Sequence, residues 1–85
     1  MAQDDQQVKS VLIQFIVDNY MVEEDEVPHD RSLVDEGIID SFGLVEIASF
    51  IERAFTISVQ EADMTRDNFG SVNKLVAFVR RRSEQ

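Results

Sequence analysis

Eighty-five residues at 9.7 kDa, 44% apolar and 29% charged, with three Gly and one Pro, predict a single small globular domain over residues 1–85 and leave no room for a second. The net charge is −9, divided as −12 over residues 1–63 and +3 over the rest, and an acidic surface of that strength repels the phosphates a nucleic-acid binder must hold. Cysteine is absent, which excludes thiol nucleophiles, disulfides and cysteine-based zinc sites.

The chain opens on a polar stretch (Gln3, Asp4, Asp5, Gln6, Gln7), and no apolar run approaches the roughly 18–20 residues of a membrane span. A cytoplasmic, untargeted protein is the expectation. Val8, Val11, Leu12, Phe15, Ile16, Asn19 and Tyr20 recur at three- and four-residue steps and predict an amphipathic helix from about residue 5 to 21. The like-charge run Glu23-Glu24-Asp25-Glu26, followed by Val27-Pro28-His29-Asp30, breaks that period and predicts a long loop. Leu33, Val34, Ile38 and Ile39 are too apolar to stand in water, so the loop is expected to be pinned to the core, with Ser32 and Asp35 capping a short turn.

A second helix is predicted over Ser41 to Phe55, with Asp40 as its N-cap and Leu44, Ile47, Ala48, Ile51 and Phe55 on its buried face. Gln60 to Met64 is expected to make one helical turn, and Arg66 to Gly70 to be a break. Ser71 then caps a last helix whose stripe is Val72, Leu75, Val76 and Val79, with Phe78 on the flank. Arg80-Arg81-Arg82 at its end reads as solvated charge complementing the helix dipole. The expected fold is all-α: a small four-helix bundle of three main helices and a short third one, with a long loop between helices one and two.

His29 is the only histidine and stands in a polar loop, which gives a catalytic triad or a histidine-pair metal site no second member. Asp25 and Glu36 stand at the first and last positions of a twelve-residue calcium loop, but Val27 and Asp30 occupy positions that need a ligand and a glycine. Attention falls on Ser41. With Asp40 serving as the cap, Ser41 takes the first helical position, where its hydroxyl faces solvent beside unpaired backbone N–H groups and the positive end of the dipole favours an attached phosphate. Asp40 opposes that phosphate by repulsion, which points to another use for it, such as holding a metal ion in the complex with a modifying enzyme.

The order helix, acidic loop, Glu36-Gly37-Ile38-Ile39-Asp40-Ser41-Phe42-Gly43-Leu44, apolar helix to Phe55, Phe69 and a short last helix resembles an acyl carrier protein over nearly the whole chain. The resemblance implies that Ser41, with Asp40 beside it, receives covalent 4′-phosphopantetheine from coenzyme A, and that acyl or aminoacyl groups ride on the arm as thioesters in lipid or fatty acid biosynthesis. It implies a phosphoprotein without catalysis of its own, and as partners a phosphopantetheinyl transferase, an acyl- or aminoacyl-loading ligase and an acyl-consuming synthase or transferase. Phe42 replaces the family's usual leucine. Gly37 stands three residues before Asp40, where many fatty-acid carriers place a glycine two before, and this looks more like D-alanyl or aminoacyl carriers. Partners are expected to dock on helix two through Glu46 and Glu52, with Phe42 and Val45 as apolar anchors, and the protein is expected to be a monomer without a membrane span. Whether Leu44, Ile47, Ile51, Met64 and Phe69 open for a chain or form closed core stays open at this level. The alternative is an unmodified acidic helical adaptor for basic proteins.

Overall fold

Helix α1 covers Asp5–Tyr20, beginning where the Asp4 carboxylate accepts a hydrogen bond from the Gln6 N–H at 2.9 Å. The computed structural model describes residues 4–84; Gln3 of the polar opening lies outside them. The buried stripe of α1 is Val8, Leu12, Ile13 and Ile16. Val11, expected on that stripe, is exposed, and Ile13 takes its place because Glu24 and His29 of the following loop fold onto the Ile13 side of the helix. Met21 ends α1 in the left-handed conformation at φ 55.

The acidic run does not stay extended. Glu24–Glu26 forms one 3-10 turn, closed by the Glu26 carboxylate accepting from the Glu23 N–H at 2.8 Å. Val27 then enters the core, and the His29 carbonyl accepts from Asn73 N–H at 2.9 Å. The expected pin is Leu33, which is fully buried: its N–H donates to the Gly70 carbonyl at 3.1 Å, and its own carbonyl accepts from the N–H groups of Ile38 (2.9 Å) and Ile39 (3.3 Å). Ser32 caps the intervening turn through its hydroxyl, which accepts from Asp35 N–H at 3.1 Å. Gly37 closes that turn at φ 75, a conformation that side chains rarely adopt.

Helix α2 spans Ser41–Phe55, the limits expected, and buries Ile47, Ala48 and Ile51, while Leu44 and Phe55 are half-buried at the edges of that face. Phe50, which the helical period set apart from the core face, stacks on Phe15 of α1 with ring centroids 4.2 Å apart. After the left-handed Thr56, a 3-10 turn at Glu61–Asp63 falls within the expected turn. The short third helix lies farther along than expected. Arg66–Phe69, expected as a break, is α3: Thr65 is extended, its carbonyl accepts from Phe69 N–H at 2.8 Å, and the turn exists to carry Phe69 into the core.

Helix α4, Val72–Ser83, starts at Ser71, whose buried hydroxyl accepts from Lys74 N–H at 3.2 Å, and it packs on α1 and α3 and touches α2. Phe78 is not on its flank but buried, tilted against Phe69 at 5.4 Å between ring centroids. The three terminal arginines are clamps rather than free charge. Arg80 pairs with Asp5 at 2.7 Å, Arg81 donates to the Asn68 side-chain oxygen at 2.7 Å, and Arg82 pairs with Asp63 at 2.7 Å. The described residues thus form an all-α bundle with no strand, and none of their helices is long and apolar enough to cross a membrane.

Two outcomes follow from this packing. Leu33→Ala removes a fully enclosed side chain at the loop's threefold backbone anchor and is expected to cost about 3 kcal/mol in urea unfolding. Asp63 accepts from Gln60 N–H and pairs with Arg82, and these contacts hold its carboxyl below the ordinary value of 3.8. A lowered folded value stabilises above the unfolded one and loses that contribution as pH falls through it. The gap in urea midpoint between the wild type and Asp63→Asn is therefore expected to be full at pH 6 and to close below about pH 4; a gap independent of pH would contradict the pairing.

Candidate functional site

The site is assembled where the pinned loop delivers the chain to α2. Ile39 is buried, Asp40 follows in extended conformation, and its carboxylate accepts from Gly43 N–H at 2.9 Å, which starts the helix. Asp40 therefore has a local structural role, capping the helix whose first residue is Ser41. The Ser41 side chain is exposed, at the dipole's positive end, and among the described residues makes no hydrogen bond to another side chain or the backbone.

Beside Ser41 opens a cleft of about 180 Å³ between the loop, α2 and α3. Val34 of the loop, Leu44 of α2, Met64 and Thr65, and Arg66 and Phe69 of α3 line it with Ser41. Of the five residues weighed as a possible tunnel, only Leu44, Met64 and Phe69 line this space; Ile47 and Ile51 are sealed in the core. The cleft is open to solvent, and its volume is close to the roughly 150 Å³ of a cavity that accepts benzene in another protein.

The residues expected to meet partners divide into two kinds. Phe42 is 78% exposed and Val45 54%, both on the open face of α2, with the exposed carboxylate of Glu46 beside them. Exposed large apolar groups ringed by charge mark a contact surface more than they mark a fold. Glu52 is different. It is half-buried, and one of its oxygens accepts from Val59 N–H at 2.9 Å, so its carboxylate ties the segment after α2 to the helix.

Two site residues escaped the sequence reading. Tyr20 brings its hydroxyl, whose oxygen is buried, to the first turn of α2 near the Glu46 carboxylate. Burial pushes its phenol above the ordinary value, and the nearby carboxylates of Glu46 and Asp40 push in the same direction. Gly43 is the second: a Cβ there would meet Ile39 Cβ at 2.9 Å and the Tyr20 hydroxyl at 3.0 Å. A glycine inside an amphipathic helix was the available signal, because it lowers helix propensity and calls for a packing reason. His29 is exposed and does not line the cleft, and no group of three metal-ligating side chains converges among the described residues.

Comparison with known proteins bears on this arrangement directly. The family model described as a phosphopantetheine attachment site matches residues 10–79, which contain all of α2 and the cleft. Among curated proteins, the D-alanyl carrier protein of Streptococcus gordonii is 35% identical over 72 residues, covering 85% of this chain and 90% of that protein.

The Gly43 contact gives a sharp test of the packing under Ser41. On helix propensity alone Gly43→Ala gains about 1 kcal/mol. The new methyl group meets a Cβ that cannot swing aside, and the net expectation is a loss of about 1–2 kcal/mol in thermal or urea unfolding. A stabilised variant would show that Ile39 and Tyr20 yield.

Proposed function

Because the chain belongs to the phosphopantetheine attachment family, and so is a carrier of covalent 4′-phosphopantetheine, we propose that Ser41 is the attachment point and that residues 1–85 work as one carrier domain. The observation that supports this most is the Ser41 hydroxyl itself: exposed, unbonded to side chain or backbone, on the first residue of α2 and at the mouth of the cleft. A visiting transferase reaches it without unfolding anything. The residues around it fit the group. The helix N-terminus favours the phosphodiester's negative charge, and Leu44, Val34 and Met64 give apolar surface for the part of the arm nearest the protein. The arm supplies the thiol that carries cargo as a thioester, which a chain without cysteine cannot supply itself.

Asp40 acts by capping: it fixes the first turn so that Ser41 presents its oxygen in one orientation. Phe42 and Val45 fill an apolar pocket on the partner, while Glu46 and the surrounding acidic surface speed the encounter with a basic one. Affinity stays modest because the anchor is small, which suits a protein that must leave one enzyme for the next. The partners in this reading are a phosphopantetheinyl transferase, a loading ligase and an enzyme that takes the cargo, and the chain contributes no catalysis.

For cargo, we favour a small aminoacyl group over a fatty acyl chain. Two features support this: the similarity to a protein named as a D-alanyl carrier, and a cleft beside Ser41 whose volume of about 180 Å³ matches a small group. The Gly37 turn, three residues before Asp40, points the same way.

The test is direct. Purified wild type incubated with coenzyme A and a broad-specificity phosphopantetheinyl transferase is expected to gain the mass of one arm, and Ser41→Ala to gain none. An unshifted wild type, or a shifted alanine variant, overturns the assignment.

A further inference from the structure

Part of the wall of the cleft beside Ser41 belongs to no long helix. Met64 and Thr65 lie between the 3-10 turn and α3, and the segment from residue 57 to 65 has little regular structure to hold it. What holds it is side chains. At its start Glu52 accepts from Val59 N–H at 2.9 Å. At its end stands Asp63. One carboxylate oxygen accepts from Gln60 N–H at 2.9 Å and the other pairs with Arg82 at 2.7 Å, while the Asp63 carbonyl accepts from Thr65 N–H and from the Asn68 side-chain amide, both at 2.9 Å. Asn68 in turn accepts from Arg81 at 2.7 Å.

Of the ion pairs among the described residues, Arg82–Asp63 is the most sheltered, its side chains 25% and 19% exposed. The other three have both members at least 41% exposed. The Arg82 guanidinium also lies 5.1 Å from the centre of the Phe78 ring, and Phe78 packs on Phe69, which lines the cleft. The last turn of α4 thus grips the cleft wall through an ion pair to Asp63 and through the tilted ring pair of Phe78 and Phe69.

We propose that Arg82 is a positioning residue for the site at Ser41: through Asp63 it fixes Met64 and Thr65, and so sets the width of the cleft into which the attached group lies. Its use rests on Ser41 being the attachment point; its geometry does not. Arg80 belongs to the same arginine run but clamps Asp5 at the start of α1, away from the cleft, and serves as the internal comparison.

Methionine oxidation reads the wall without reference to Ser41. Met64 is half-buried, whereas Met21 is 95% exposed and oxidises as a free reference in the same chain. With the full chain in dilute hydrogen peroxide and residue-resolved mass spectrometry, Met64 is expected to oxidise more slowly than Met21. Arg82→Gln is expected to speed Met64 by about two- to fivefold, with Met21 unchanged. Asp63→Asn should match it, Arg82→Gln with Asp63→Asn together should add little more, and Arg82→Lys should restore part of the protection. An unchanged Met64 rate in Arg82→Gln overturns the proposal. So does an equal acceleration in Arg80→Gln, which would mean that general loosening exposes Met64. If Ser41 proves unmodified while Met64 responds as expected, the attachment reading fails and the wall's dependence on Arg82 stands.

Discussion

The burial of Leu33 is the constraint on which the site depends. The connection from α1 to α2 is twenty residues long and carries most of the chain's uncompensated negative charge, so nothing local would hold its far end at one place. One enclosed leucine does. Its side chain is sealed in the core, its N–H reaches the carbonyl just before α4, and its carbonyl gathers Ile38 and Ile39. Asp40 emerges at a fixed height above the bundle, its carboxylate starts α2, and Ser41 is set at the corner.

From that corner the two faces of α2 divide the work. One face, Ile47, Ala48 and Ile51, is spent on the core. The other leaves Phe42 and Val45 exposed to water, which in the proposed reading is the surface a partner covers. The three arginines at the end of α4, which in a strongly acidic protein look like a counterweight for solubility, are each joined to a partner on another element. Glu46 stays available to a basic visitor, while Glu52 has one oxygen committed to the backbone of the next segment.

How much was legible in the sequence depends on the range of the forces involved. Helix limits, caps and the buried stripes of α2 and α4 were readable because they rest on spacing and on hydrogen bonds three residues long: Asp40 to Gly43 and Ser71 to Lys74. The corner residue stood out by its order relative to a cap and an apolar helix. What escaped was set by contacts between residues far apart. Ile13 displaced Val11 because a distant loop packs on that side. Arg66–Phe69 became a helix because Phe69 has a place waiting beside Phe78. Glycine at position 43 has no explanation within α2; Ile39, just before the helix, and the phenol of Tyr20, twenty-three residues earlier, supply it together. No periodicity records such encounters.

Ser41 is also the end of a rod. Fifteen helical residues at 1.5 Å of rise make α2 about 22 Å long, and the rod is braced along its inner side while its outer side is free. An enzyme that grasps that outer side holds a handle whose tip is the serine oxygen, so grip and aim are one mechanical act. Different enzymes that hold the same handle would receive the tether from the same starting direction, and each would need only to place its own catalytic centre within the radius the tether sweeps.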